Sequence, residues 1–148
     1  MPRSRNTQID PAAPRCPIDF ALSLVGDRWS LLVLRNMTLL GKRRYSEFLA
    51  APEGISTNIL ANRLRSLQDC GLIQKYQDPV DRKAVIYLPT DQGLELMPIL
   101  VELLRWGSKS LANPMVTDEV TRALKGNTAP LLTRIERTIR AERAALQS

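Results

Sequence analysis

Apolar residues recur at helical spacing along most of the chain, and one segment near the middle departs from that spacing. The spacing predicts helices over residues 17–25, 29–40, 56–70, 91–107, 116–125 and 130–146, with a further short helix after residue 46. Residues 72–76 and 85–88 are instead short runs with β-branched and aromatic side chains, joined by a turn-forming segment, which predicts a β-hairpin. The predicted fold is mainly α-helical with one small hairpin.

Residues that start and stop helices stand at several of these predicted ends. Ser46 and Ser56 are suited to cap the helices that follow them, because a serine hydroxyl accepts a hydrogen bond from a first-turn N–H group. Gly71 stands where a left-handed residue ends a helix. Thr90 is suited to cap the helix 91–107. Two helices across a Pro/Gly turn, followed at once by a hairpin, have the order of a winged helix-turn-helix.

The predicted helix 56–70 has two faces of different chemistry. At about 100° per residue, one face carries three leucines and the opposite face carries Asn58, Asn62 and Arg65. Asn can pair with adenine through two hydrogen bonds, and Arg can pair with guanine in the same way. Any surface helix has polar residues outside, so this face alone favours DNA binding only weakly.

Basic residues on both sides of this helix strengthen the interpretation. Lys42, Arg43 and Arg44 precede the first helix of the pair, and Arg82 and Lys83 lie near the hairpin tip, where they suit phosphate contacts. Arg63 lies beside the apolar face, so it could serve a phosphate or an internal ion pair. The predicted DNA-binding residues are Arg43, Arg44, Ser56, Thr57, Asn58, Asn62, Arg63, Arg65, Arg82 and Lys83.

The predicted helix 91–107 is apolar on more than one face. Its apolar residues are Leu94, Leu96, Met97, Ile99, Leu100, Val101, Leu103, Leu104 and Trp106. A short helix beside a small hairpin is not expected to bury all of them within one subunit. We therefore expect this helix to pack against a second copy of the chain, with a kink at Pro98.

Composition excludes several classes of function. The 148-residue chain has 21 Lys and Arg against 15 Asp and Glu, a net charge of +6 that favours an anionic partner. It has no histidine, which removes the usual general base and the commonest metal ligand, and only two cysteines. We therefore expect no catalytic site, no metal and no cofactor. Two cysteines indicate no disulfide framework, so we expect a cytoplasmic protein. No apolar run of about 18 residues is present, so we expect no membrane span.

The chain is predicted to have three parts. Residues 1–15 combine prolines and arginines with few apolar side chains, which predicts a flexible basic arm. Residues 16–111 contain the predicted winged helix-turn-helix and its dimerisation helices. Residues 112–148 are predicted to form a helical C-terminal extension.

Motifs spread over residues 16–107 carry a family resemblance. They include Cys16-Pro17, Gly26-Asp27-Arg28-Trp29, Arg44-Tyr45-Ser46-Glu47-Phe48, Gly54-Ile55-Ser56 and Gly71-Leu72-Ile73. In these motifs the chain resembles the HxlR-type winged helix-turn-helix regulators of bacteria. The resemblance implies a dimeric repressor or activator, with repression favoured, whose subunits join through the N-terminal helix and the helix after the wing. Each recognition helix would enter the major groove at one half of an inverted repeat.

Cys16 is a candidate redox sensor. It stands at the start of a predicted helix beside Arg15, and both a helix N-terminus and a nearby cation lower a thiol pKa. In family members that sense oxidants or electrophiles, a cysteine near the N-terminus is the usual site, so the resemblance implies the same role here. The alternative is a small, half-buried residue at a helix cap. Cys70 differs, because its place near the end of the helix 56–70 predicts a packed core residue.

Two alternative functions remain open. A small-molecule effector could bind an apolar cavity between the dimer helices, around Trp29, Met97 and Trp106. The winged helix could also be a protein-interaction module without DNA binding, although the basic residues beside the recognition helix argue against that role.

Overall fold

The computed structural model describes residues 12–148, which form eight helices and one two-stranded antiparallel hairpin. Their bounds are α1 (Pro17–Val25), α2 (Arg28–Thr38), α3 (Tyr45–Leu49), α4 (Thr57–Asp69), β1 (Ile73–Gln77), β2 (Val85–Pro89), α5 (Asp91–Leu94), α6 (Met97–Ser108), α7 (Asp118–Lys125) and α8 (Ala129–Gln147). The mainly helical fold with a small hairpin is as predicted. Most of the predicted arm, residues 1–11, lies outside the described residues.

Helix α4 begins and ends at the predicted residues. The Ser56 hydroxyl accepts a hydrogen bond from the Ile59 N–H, at 3.3 Å. At the other end, Gly71 adopts a φ of +75°, and the Leu72 N–H donates to the Leu67 carbonyl over 2.9 Å. A left-handed glycine with this bond is the usual way to satisfy the last carbonyls of a helix. Both ends of α4 are therefore fixed by local hydrogen bonds.

The prediction that Ser46 caps α3 is wrong. The helix already begins at Tyr45, and Ser46 lies within its first turn. The Glu47 carboxylate reaches back and accepts hydrogen bonds from the N–H groups of Arg43, at 2.7 Å, and Arg44, at 3.0 Å. A glutamate at the third helical position commonly accepts from the N–H of the residue that precedes the helix. These bonds, that of Arg43 first, also lower the pKa of Glu47.

The predicted helix 91–107 is two helices rather than one kinked helix. Thr90 caps α5, as predicted, by accepting a hydrogen bond from the Gly93 N–H at 3.2 Å. Helix α5 then ends at Leu94, and Pro98 lies in the first turn of α6. A proline inside a continuous helix would lack a donor and clash with the carbonyl four residues earlier, whereas the first turn tolerates it. The chain therefore breaks just before Pro98.

Two apolar clusters form the core. The first joins α2, α3, α4 and the start of β1, and its most buried members are Val33, Leu34, Met37, Phe48, Leu60 and Leu67. The second joins β2, α5 and α6 to α7 and α8 through Leu88, Leu94, Met97, Val120, Ile135 and Ile139. We call α7 and α8 the C-terminal extension. Because the extension supplies much of the second cluster, it packs against the back of the hairpin and does not stand free.

The hairpin has a regular antiparallel register, with Ile73 opposite Pro89 and Gln77 opposite Val85. The β2 strand is also tied to the turn before α3, because the Tyr87 N–H donates to the Arg43 carbonyl at 2.8 Å. This bond fixes the wing beside the helix-turn-helix. Among residues 12–148, no helix has both the length and the apolarity required to cross a membrane.

Candidate nucleic-acid interface

The polar face of α4 is exposed, as its pattern predicted. Asn58, Asn62 and Arg65 are all exposed, while Leu60, Leu64 and Leu67 on the opposite face are buried. The amides and the guanidinium therefore lie on one side of a helix that is held to the core by its leucines. Such a side can present hydrogen-bonding groups to the base edges of a major groove.

The N-terminal end of α4 adds two more exposed residues. Ser56 and Thr57 are both exposed, and the Thr57 carbonyl accepts a hydrogen bond from the Tyr45 hydroxyl of α3 at 3.0 Å. This bond joins the two helices of the helix-turn-helix directly. It sets the position of the Ser56 and Thr57 end relative to α3.

Arg63 makes the internal ion pair, one of its two predicted roles. Its guanidinium lies 3.3 Å from Asp27, whose carboxylate caps α2 by accepting bonds from the Ser30 N–H at 2.9 Å and hydroxyl at 2.6 Å. Partial burial raises the pKa of Asp27, but the Ser30 bonds and the Arg63 charge together lower it. Arg63 also donates to the side-chain oxygen of Asn62. It therefore links the recognition helix to the start of α2 and holds the Asn62 amide.

Arg43 differs from the phosphate contact that was predicted. Its guanidinium donates to both carboxylate oxygens of Glu142 in α8, at 2.7 and 2.9 Å, and to the Met37 carbonyl at 2.6 Å. The side chain is only 15% exposed. These partners use donors that the predicted phosphate contact would need. Arg43 fixes the C-terminal extension to the turn before α3.

Arg44 has an internal ion-pair partner and is also partly exposed. It pairs with Asp78, a buried residue at the end of the wing strand β1, yet its own side chain remains 48% exposed. Asp78 also accepts hydrogen bonds from the N–H groups of Val80, at 2.8 Å, and Asp81, at 3.3 Å. These bonds, that of Val80 first, lower the pKa of Asp78 and keep it charged beside Arg44. Asp78 therefore shapes the wing loop while Arg44 keeps donors at the surface.

The wing tip presents Arg82 and Lys83. Both are exposed, and the hydrogen bonds that hold their loop use the backbone atoms of these two residues. The Lys83 N–H donates to Asp81 at 3.0 Å, and the Gln77 amide donates to the Arg82 carbonyl. The two cationic side chains are thus carried on an ordered loop.

Comparison with known proteins identifies the family of this chain. A model of the HxlR-like helix-turn-helix matches residues 24–115. This chain belongs to the HxlR-like helix-turn-helix family. The HTH-type transcriptional regulator sll1512 of Synechocystis is 38% identical over 93 residues, which are 63% of this chain and 68% of that protein.

Solved structures of regulators show the same fold. The redox regulator HypR in its oxidized form matches with a TM-score of 0.59 and 26% identity, over 66% of this chain and 100% of HypR. The reduced form of the transcriptional regulator YodB from B. subtilis matches with a TM-score of 0.53 and 28% identity, over 67% and 97% of the two chains. The HxlR-like match ends at residue 115, so helices α7 and α8 lie beyond it.

Cys16 of this HxlR-like protein is exposed and stands immediately before α1. The N–H groups of Asp19 and Ile18 in the first turn lower the pKa of its thiol. The predicted help from Arg15 is not the cause, because Arg15 pairs with Asp19 at 3.0 Å and its guanidinium lies 5.4 Å from the centre of the Phe20 ring. Cys16 is therefore an exposed thiol, not a half-buried cap. Cys70 packs against the first apolar cluster, as predicted.

The residues proposed for an effector cavity do not converge within one HxlR-like chain. Trp29 packs against the first cluster, Met97 is buried in the second, and Trp106 is 75% exposed. Two positioning residues were missed by sequence reasoning, namely Asp27 and Glu142. Asp27 did carry a signal, since an Asp just before a predicted helix is a common N-cap. Glu142 carried none, because it lies 99 residues from its partner Arg43.

Proposed function

We propose that this chain regulates transcription by binding double-stranded DNA as a homodimer, at an operator with inverted-repeat symmetry. The observation that carries the proposal is the exposed face of α4, where Asn58, Asn62 and Arg65 stand opposite a buried leucine face. We also propose that residues 16–111 form the DNA-binding and dimerisation domain and that residues 112–148 support it as an extension.

In this proposal, α4 enters the major groove and its three polar side chains contact base edges. The exposed N-terminal residues Ser56 and Thr57 approach the phosphate backbone, as helix N-termini commonly do. Arg82 and Lys83 contact phosphates from the wing, so base contacts and phosphate contacts come from different elements. Arg44 exchanges part of its pairing with Asp78 for a phosphate, which its exposed side chain allows.

An exposed apolar surface on α1 and α6 supports the dimer. Ile99, Leu103 and Trp106 recur at helical spacing on α6 and are 49%, 48% and 75% exposed. On α1, Ile18 and Leu22 are 70% and 58% exposed, and Phe20 is exposed as well. Exposed apolar patches of this kind usually mark interaction sites. A second copy that covers it would present two α4 helices to half-sites about one turn of DNA apart.

The test is footprinting of the chain on the DNA upstream of its own gene. We expect protection of an inverted repeat, with affinity that falls steeply as salt rises, because phosphate contacts release counterions. Arg65→Ala should weaken specific binding about tenfold or more by removing one base contact. Arg122→Ala removes the same charge from an exposed position on α7 and should change affinity little.

Two outcomes would contradict DNA recognition by α4. Equal losses in the Arg65 and Arg122 variants would mean that only total charge matters. Weak binding that is insensitive to salt would instead favour a protein-interaction module.

We propose further that oxidation of Cys16 modulates DNA binding. The thiol is exposed and its pKa is lowered, and a protein with the same fold is named a redox regulator. With hydrogen peroxide as oxidant, the Cys16 thiolate would lose two electrons and become a sulfenic acid, while the peroxide is reduced to water. The change lies next to the exposed apolar residues of α1, where it can alter the dimer.

A further inference from the structure

A cleft of about 450 Å³ lies where the helix-turn-helix meets the C-terminal extension. Its walls come from α2, from the turn between α3 and α4, from α6 and from the start of the extension. Six of the lining residues are Leu39, Leu40, Pro52, Glu53, Leu104 and Val120. Small-molecule sites in proteins have volumes of about 300–1,000 Å³, with mostly apolar walls and a few polar groups. The size and the lining of this cleft agree with that description.

The polar end of the cleft is a charge-paired glutamate. One oxygen of Glu53 accepts a hydrogen bond from Arg35, and Arg35 is itself held by two donations to the Asn36 side-chain oxygen, at 3.1 and 2.7 Å. The bond from Arg35 outweighs partial burial and lowers the pKa of Glu53, so the pair carries one charge of each sign. The net charge at this end of the cleft is therefore zero.

The second oxygen of Glu53 is buried without a hydrogen-bond partner among residues 12–148. An unsatisfied buried acceptor is costly, and each such atom in a folded protein calls for an explanation. Because this oxygen has less than 1 Å² of accessible surface, a ligand donor would reach it once the Glu53 side chain turns toward the cleft. The adjacent opposite charges of Glu53 and Arg35 largely cancel, so this pair does not favour an anionic or a cationic ligand over a neutral one.

We propose that this cleft binds a neutral, mainly apolar small molecule that carries one hydrogen-bond donor, with the donor directed to Glu53. Leu39, Leu40, Leu104 and Val120 would cover its apolar body.

The position of the cleft gives such a ligand a route to DNA affinity, a step that rests on the proposed function. Pro52 and Glu53 belong to the turn that leads to Ser56, the cap of α4. Val120 belongs to the extension, beyond the residues that match the HxlR-like model. A bound molecule would therefore contact the approach to the recognition helix and the extension at once.

The experiment titrates N-phenyl-1-naphthylamine into the full-length chain and follows the probe's fluorescence. This probe is neutral, has apolar rings and carries one N–H donor. We expect saturable binding of one probe per chain. Its sulfonated analogue, 8-anilinonaphthalene-1-sulfonate, adds a negative charge to the same ring system and should bind more weakly.

Three variants locate the probe. Leu40→Arg and Met115→Arg place a charge at two separate positions on the cleft, and both residues are 43% or more exposed, which favours correct folding. We expect each to weaken binding of the neutral probe by about tenfold or more, since burying a charge beside an apolar ligand is costly. Val80→Arg adds the same charge to a wing residue that is 91% exposed and should leave binding unchanged. Thermal melting checks that each variant is folded.

The outcomes separate this proposal from the proposed function. Unchanged affinity for the neutral probe in both cleft variants would overturn the proposal of a ligand site in the cleft. The probe would then lie elsewhere, such as on the apolar surfaces of α1 and α6. Tighter binding of the sulfonated probe would overturn the proposed ligand class. Loss of DNA binding under all conditions would overturn the proposed function only, because the probe titration needs no DNA.

Discussion

The environment of the Cys16 thiol favours reaction with peroxide. It is exposed, and first-turn N–H groups of α1 lower its pKa, so more of it is thiolate at neutral pH and it reacts faster with peroxide. We expect peroxide to change the operator affinity of the native chain and a thiol reductant to reverse the change. Cys16→Ser should abolish the response, as measured by fluorescence anisotropy of a labelled operator.

Cys70→Ser is the matched control for this prediction. Cys70 is partly buried against the first apolar cluster, so its removal should leave the peroxide response in place. An equal peroxide response in the native chain and the Cys16 variant would contradict a sensing role for Cys16. Loss of the response only in the Cys70 variant would move that role to the recognition helix.

The residues of the candidate DNA interface differ in how well the sequence predicts their environment. The exposure of Asn58, Asn62 and Arg65 follows from the leucine spacing of one helix, and it was predicted correctly. Arg43 and Arg44 were predicted to act alike, but one is held by Glu142 and the other by Asp78. Local spacing contains no information on partners so far away in the chain, so the two arginines could not be distinguished before the fold was known.

At the scale of elements, the predicted boundaries agree best where a capping residue acts locally. The ends of α4 and the start of α5 follow from Ser56, Gly71 and Thr90, whose bonds reach only a few residues. The start of α3 was wrong because the Glu47 carboxylate, and not the Ser46 hydroxyl, caps this end by accepting from the N–H groups of Arg43 and Arg44. A break before Pro98 replaces the predicted kink because proline is tolerated in the first turn of α6, whereas inside a continuous helix it would lack a donor and clash.

Attachment of α8 to the helix-turn-helix depends on the pairing of Arg43 with Glu142. Glu142→Ala would leave the Arg43 guanidinium, which is only 15% exposed, without its carboxylate partner. Loss of a hydrogen-bonded charged partner costs about 1–2 kcal/mol. We expect a decrease of that size in the free energy of unfolding, measured by urea denaturation, and faster amide hydrogen exchange in α8.

Glu136→Ala is the control for this change on the same helix. Glu136 pairs with Arg140 one turn away at 2.7 Å, and that arginine is half-exposed. Exposed pairs of this kind contribute about 0.5 kcal/mol or less, so this variant should be close to the native chain. Similar losses in the two variants would mean that Arg43 does not anchor α8.

The whole molecule should respond to acid in a simple way, because carboxyl groups are its main structural titrating groups. The pKa is lowered in the folded state for Asp27, Glu47, Glu53, Asp78 and Asp91. A lowered folded pKa means that the unfolded chain binds protons more readily, so these groups stabilise the fold above their ordinary values of 3.8 and 4.5. Their contribution is lost as the pH falls through the lowered values.

The chain has no histidine to titrate near neutrality. We therefore expect the free energy of unfolding to be nearly constant from about pH 6 to pH 7.5 and to fall progressively below about pH 4.5. Urea denaturation at a series of pH values tests this. A marked loss of stability between pH 7 and pH 6 would contradict the assignment of these carboxyl groups as the source of the acid response.

The exposed apolar residues of α6 lead to a prediction about dimerisation. Ile99, Leu103 and Trp106 form an exposed apolar stripe on α6, and neither cluster of the core covers it. Leu103→Glu places a charge at the centre of this stripe, and burying it against a second copy would be strongly unfavourable. We expect sedimentation velocity to show a dimer for the native chain and a monomer for this variant. Operator affinity should fall together with dimerisation, because a monomer contacts only one half-site.

Val80→Glu is the matched control, since it adds the same charge to a residue that is 91% exposed on the wing. It should remain a dimer. Its DNA affinity can still fall, because a negative charge on the wing repels phosphate. The two variants therefore separate effects on assembly from effects on DNA contact. A Leu103 variant that stays dimeric would place the interface on a surface other than α6, and a monomeric Leu103 variant with native affinity would show that each subunit reads DNA alone.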